Sequence, residues 1–114
     1  MNPQNLVLLE GNITRDPDVR NTPDGTPICT FPIAVNRYFK NKDGKEQETG
    51  FFDIEAWGKL AEISIAMAHK GRGCRITGRL KQDKWDGPDG KPRSKVYVIA
   101  KEIEYRPERQ RGEE

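Results

Sequence analysis

Apolar and polar residues alternate along most of this chain with a period of two, the spacing of strands buried on one face and solvated on the other. "NLVLLEGNIT" predicts a first strand, interrupted by Gly11, where an interior glycine marks a bulge or the sharp coil of a closing barrel. "RDPDVRNTPDGTP" is turn chemistry, with Pro17, Pro23 and Pro27 around an Asp24-Gly25 step. In "ICTFPIAV" the residues Cys29, Phe31, Ile33 and Val35 share one face, and Pro32 within the run predicts an edge or a bulge. "KNKDGKEQE" reads as a polar hairpin loop. In "TGFFDIEAWG", Phe52, Ile54 and Ala56 form a core row, with Phe51, Asp53, Glu55 and Trp57 on the opposite face.

The period then changes. "KLAEISIAMAHKG" places Leu60, Ile63 and Met67 at helical spacing, with Gly58 before the segment and Gly71 as its expected C-terminal stop. Alternation resumes in "GCRITGRLKQDKW", where Cys74, Ile76, Gly78 and Leu80 take the core parity. Arg75, Thr77, Arg79, Lys81 and Trp85 take the other. "DGPDGKP" turns the chain and "SKVYVIAKEIEY" returns as the fifth strand. Three strands, a helix and two strands predict an all-β fold with one helix. It is the five-stranded OB-fold, a Greek-key barrel with its helix between the third and fourth strands, an architecture that binds oligonucleotides.

Charge sharpens this picture. The net charge is +2, yet residues 70–95 hold nine basic and three acidic side chains. That stretch carries +6 and leaves −4 for the remainder, an asymmetry suited to a polyanionic partner. Trp85 sits within this stretch, beside a turn and among Lys81, Lys84, Lys91 and Arg93. Aromatics spaced among cations on a solvent face form a platform on which unpaired bases stack while the cations track phosphates. The competing reading has Trp85 pinning its hairpin to the barrel. Phe51 and Trp57, both opposite a core row, are further candidates, although a second apolar layer or a subunit interface would also absorb Trp57. Asp53 and Glu55 share their face and would repel a phosphate backbone passing over them. Phe39 continues the core row by parity, so exposing it requires the strand to leave the barrel near Arg37.

Other chemistry is poorly served. Cys29 and Cys74 lie on apolar strands and read as buried free thiols. One histidine and no C-x-x-C give no metal site, and no cofactor is implied. Neither a Ser/His/Asp nor a Cys/His set is present, so the chain is expected not to be an enzyme. No apolar run reaches the length of a membrane span, and a soluble, cytoplasmic, nucleoid-associated protein is expected.

Three segments, "LEGNITRDPDVR", "AWGKLAE" and "ITGRLKQDKW", carry a resemblance in their order and spacing. From Leu6 to about Tyr105 the chain resembles the bacterial single-stranded DNA-binding protein family. The resemblance implies an OB-fold over residues 1–105 that binds single-stranded DNA without sequence preference, as a homotetramer, in replication, recombination and repair. The family's stacking aromatics fall on Phe39, Phe51, Trp57 and Trp85, and the first two are often tryptophan in relatives. Arg20, Lys59, Lys70, Lys81, Lys84 and Arg93 match basic family positions, while Asp53 stands where a basic residue is common. Arg75 and Arg79 join the expected DNA-binding set through the charge of their strand. Family members continue into a tail whose acidic, hydrophobic tip recruits replication and repair proteins. Here residues 106–114, "RPERQRGEE", are expected to be a short, disordered or truncated charged tail without such a tip. Two other readings fit the fold: a primosome-type accessory protein and an RNA-binding OB module.

Overall fold

A computed structural model describes residues 2–108. Six strands and one helix follow one another: β1 (Val7–Ile13), β2 (Asp18–Asn21), β3 (Pro27–Asn41), β4 (Gly44–Trp57), α1 (Lys59–Met67), β5 (Gly73–Asp86) and β6 (Pro92–Tyr105). The sheet runs β1-β5-β6-β4-β3-β2, and a further β1–β3 pairing closes it, leaving β2 outside the closure. β1, β3, β4, β5 and β6 therefore close the expected five-stranded barrel with the helix in the expected place. β4 and β6 pair in parallel over Ile54↔Val98 and Glu55↔Ile99; the other pairings are antiparallel.

β2 lies where turn chemistry was expected. All four of its residues are exposed, so it has no apolar row to read, and it adds to β3 through its backbone (Asp18↔Thr30 to Asn21↔Pro27). The expected polar loop after β3 is also mostly strand. The β3–β4 ladder continues to Asn41↔Gly44, and the β5–β6 ladder to Asp86↔Pro92, so both hairpins extend beyond the core as arms. Pro32 causes neither an edge nor a bulge on the β4 side. It falls between the stretch of β3 paired to β2 and the stretch paired to β1, and its carbonyl accepts from the Thr14 N–H at 3.1 Å.

Two glycines let the barrel coil. At Gly11 a Cβ would lie 2.3 Å from the Ala34 carbonyl oxygen, where β1 passes from β5 to β3. At Gly78 it would lie 2.1 Å from the Ile99 oxygen, beside a bulge in the β5–β6 register. Neither backbone approach leaves room for a side chain.

The barrel interior holds Ile13, Cys29, Phe31, Ile33, Ile54, Ala56, Cys74, Ile76 and Val98, all fully buried. Each large member contributes about 1.5–3 kcal/mol through burial. Both cysteines are free and buried, as expected. The core parity fails at one end, where Phe52 and Leu80 are part-exposed because the strands there run out of the barrel. The helix sets Leu60 against the core and half-buries Met67, as its spacing suggested, but Ile63 of that row turns outward. Ala61 and Ser64 are buried while Ile63 is exposed. Small residues allow close approach, and the Tyr105 hydroxyl donates to Ser64 Oγ at 2.6 Å. The helix also ends at Met67, well before Gly71.

Arg106, the first residue of the expected tail, packs back on the barrel. The Arg106 N–H donates to the Gly73 oxygen at 2.9 Å, and its guanidinium meets Glu10 at 2.8 Å. Glu108 bridges to Arg72 at 3.3 Å, and residues 109–114 of the expected tail lie outside the described residues. No helix among the described residues is long and apolar enough to cross a membrane.

Candidate nucleic-acid interface

Residues opposite one another on paired strands project to the same side, so the register defines a surface. Trp57 opposes Ile28, which opposes Arg20, and Phe51 opposes Ala34. From the parallel contact, Ile99, Tyr97, Lys95 and Arg93 of β6 take the same side as Glu55 of β4. They oppose Arg79, Lys81, Asp83 and Trp85 of β5. One outer face thus crosses β2, β3, β4, β6 and β5. On it Phe51 is 69% exposed, Trp85 50% and Trp57 42%. Ile28, opposite Trp57, is fully buried, so the indole has an apolar neighbour on one side and solvent on the other.

Cations on this face outnumber carboxylates, and the carboxylates at its centre have partners. Asp53 lies 3.0 Å from Lys95 Nζ, and Glu55 lies 3.5 Å from the Arg20 guanidinium. Asp83 accepts from the Tyr97 hydroxyl at 2.8 Å and lies 3.9 Å from Lys81. Burial, followed by that hydrogen bond, pushes the Tyr97 phenol up to about 12. The repulsion expected from Asp53 and Glu55 is thus offset within the sheet. What remains is a shallow platform of exposed rings bordered by Arg20, Arg79, Lys81 and Arg93, the arrangement that unpaired bases and their phosphates require.

The family model described as "Single-strand binding protein family" matches residues 4–105. The chain belongs to that family. It is 41% identical over 100 residues to a single-stranded DNA-binding protein of Aquifex aeolicus, covering 87% of this chain and 67% of the relative. Against one from Bacillus cereus it is 38% identical over 110 residues, covering 96% and 64%. The chain therefore spans about two-thirds of the length of these relatives. Among solved structures, a deletion mutant of the single-stranded DNA binding protein from Thermus aquaticus superposes with a TM-score of 0.81 at 30% identity, covering 93% of this chain and 52% of that one. A Plasmodium falciparum SSB in complex with ssDNA shares the fold, with a TM-score of 0.83 at 21% identity over 94% and 100% of the two chains.

The family-matched positions do not all gather on one face. Arg20, Phe51, Trp57, Lys81, Trp85 and Arg93 do, together with Arg79. Lys59 opens the helix two residues after Trp57. Lys84 opposes Ser94 and so takes the reverse side of the β5–β6 arm. Lys70 lies after the helix, its N–H donating to Asp16 Oδ1 at 2.9 Å. Arg75 is farther round the barrel, between Glu10 and Glu104, and bridges to Glu10 at 3.6 Å. Phe39 leaves the core as the β3–β4 arm departs, but on the opposite side from Phe51, with the Arg37 guanidinium 5.2 Å from its ring.

Sequence reasoning missed Tyr38, which is 71% exposed and shares the Phe51 side of the arm. Between them Gln47, Thr49 and Asn36 form a hydrogen-bonded cluster that stiffens the face. Its parity with Ala34 and Asn36, opposite the core row, was the signal. Lys95 and Tyr97 were missed too, because their place follows from the β4–β6 contact, which is distant in sequence.

Proposed function

We propose that this protein binds single-stranded DNA without sequence preference and coats it during replication, recombination and repair. The carrying observation is the single outer face on which Phe51, Trp57 and Trp85 are exposed among Arg20, Arg79, Lys81 and Arg93. Bases stack on the rings, and the cations take phosphates with release of counterions. No bond is made or broken, and the protein is not an enzyme. Tyr38 extends the platform along the β3–β4 arm. Phe39, Lys59, Lys70 and Lys84 border it and meet strand that wraps past its edges, and Arg75 lies on the wrapping path round the barrel.

A homotetramer fits the apolar side chains left exposed away from the face, among them Leu6, Leu8, Phe52, Leu80 and Val96. A cytoplasmic, nucleoid-associated location follows from the same role. The test is a titration with poly(dT) and with duplex of equal length, following tryptophan emission. The single strand quenches Trp57 and Trp85 and the duplex does so far less, because stacking needs unpaired bases. Equal quenching by duplex would refute the reading.

A further inference from the structure

Glu55 presents a puzzle. It is a carboxylate on the face assigned to a polyanion, and it is only 7% exposed. A buried charge persists where its oxygens are paired and hydrogen-bonded. Both oxygens of Glu55 are committed. Oε1 accepts from Trp57 Nε1 at 2.7 Å, and Oε2 lies 3.5 Å from the Arg20 guanidinium. The carboxylate therefore ties an exposed ring on its own strand to an exposed cation on β2.

We propose that Glu55 is a positioning residue for the interface, holding the Trp57 indole by its N–H so that one ring face is presented to a base. The proposal rests on the single-strand binding reading above and adds a residue whose charge alone would argue against a role there. Indole has one hydrogen-bond donor and no acceptor. With that donor engaged by Glu55, the ring offers an incoming base its π-face and no directional polar contact, which suits sequence-tolerant stacking. A ring ordered before DNA arrives also avoids the ordering cost that association otherwise carries. Arg20, drawn to the same carboxylate, stands at the edge of the ring where a phosphate linking stacked bases can reach it.

The test uses the full chain carrying Trp85→Phe, so that Trp57 is the one remaining tryptophan. Indole N–H hydrogen exchange is read without DNA, and poly(dT) affinity is read separately. Glu55→Gln keeps an acceptor, so it should preserve slow indole exchange; by releasing Arg20 it should leave affinity equal or higher. Glu55→Ala should speed indole exchange and weaken binding by roughly three- to tenfold, the scale of the net contribution of one ordinary hydrogen bond. With Trp57→Phe, which keeps a stacking ring but has no N–H, adding Glu55→Ala should change affinity by less than about twofold. If Glu55→Ala does not fold, Glu55→Met fills the volume without accepting a strong hydrogen bond and carries the same comparison. Unchanged indole exchange in a folded Glu55→Ala or Glu55→Met variant would overturn the proposal. So would an equal affinity loss with and without the indole N–H. Absence of single-strand binding in every variant would instead refute the functional reading, while the exchange measurement would still decide the role of Glu55.

Discussion

Lys95 Nζ of β6 lies 3.0 Å from Asp53 Oδ2 of β4, a pair that bridges two strands in the middle of the outer face. Phosphate must compete with Asp53 for this cation. Asp53→Asn should therefore raise affinity for single strands at low salt. It should also steepen the dependence of log affinity on log salt by up to about 0.7, the contribution of one added phosphate contact. Titrations at several salt concentrations measure both. An unchanged slope would mean that Lys95 does not reach the strand.

Trp85 stands on the β5–β6 arm opposite Arg93, half exposed. Trp85→Ala should weaken single-strand binding by roughly 1–3 kcal/mol, as expected for one base–aromatic stack. The melting temperature should move little, because about half of the residue already faces solvent. A collapse in melting temperature with normal binding by the folded fraction would make Trp85 a pin for its hairpin.

Tyr38 makes a sharper test of the surface, since it was chosen by register and exposure. Tyr38→Ala should weaken binding to long oligonucleotides by roughly 1 kcal/mol, the lower end of the stacking range. Oligonucleotides too short to extend from Phe51 onto the arm should show no loss. Isothermal titration over a series of lengths separates the two outcomes.

The buried thiols give a pH prediction. Burial pushes the Cys74 thiol from 9.0 up to about 11 and raises the Cys29 thiol as well. The folded state thus holds these protons more tightly than the unfolded chain. Their contribution is fully present below about pH 9 and is lost as pH rises toward about 11. Thermal melts should be level near neutrality and fall across that alkaline window, with thiol labelling at pH 8 slow until denaturant is added.

How far the sequence carried depended on what each element buries. The barrel strands were legible because rows such as Cys29–Phe31–Ile33 have one buried face. β2 was not, because Asp18, Val19, Arg20 and Asn21 are all exposed and join the sheet through backbone alone. The β3–β4 arm was read as a loop for the same reason, whereas the β5–β6 arm was read as strand through Trp85. The helix was legible, and Leu60 packs on the core as its spacing suggested; Ile63 does not, because the small Ala61 and Ser64 make the closest approach. Within the site, Phe51, Trp57 and Trp85 could be found by parity. The pairing of Glu55 with Arg20, and of Asp53 with Lys95, required the sheet order, which local alternation does not encode.

The central claim is that one outer face binds the strand. Photo-crosslinking to a 4-thiothymidine oligonucleotide, with attachment sites mapped by mass spectrometry, tests it most directly. Crosslinks should concentrate on Phe51, Trp57, Trp85 and Tyr38. They should be sparse at Leu8, which lies exposed on β1, away from that face. Attachment chiefly around Leu8 and Thr77, with Phe51 and Trp57 untouched, would contradict the account.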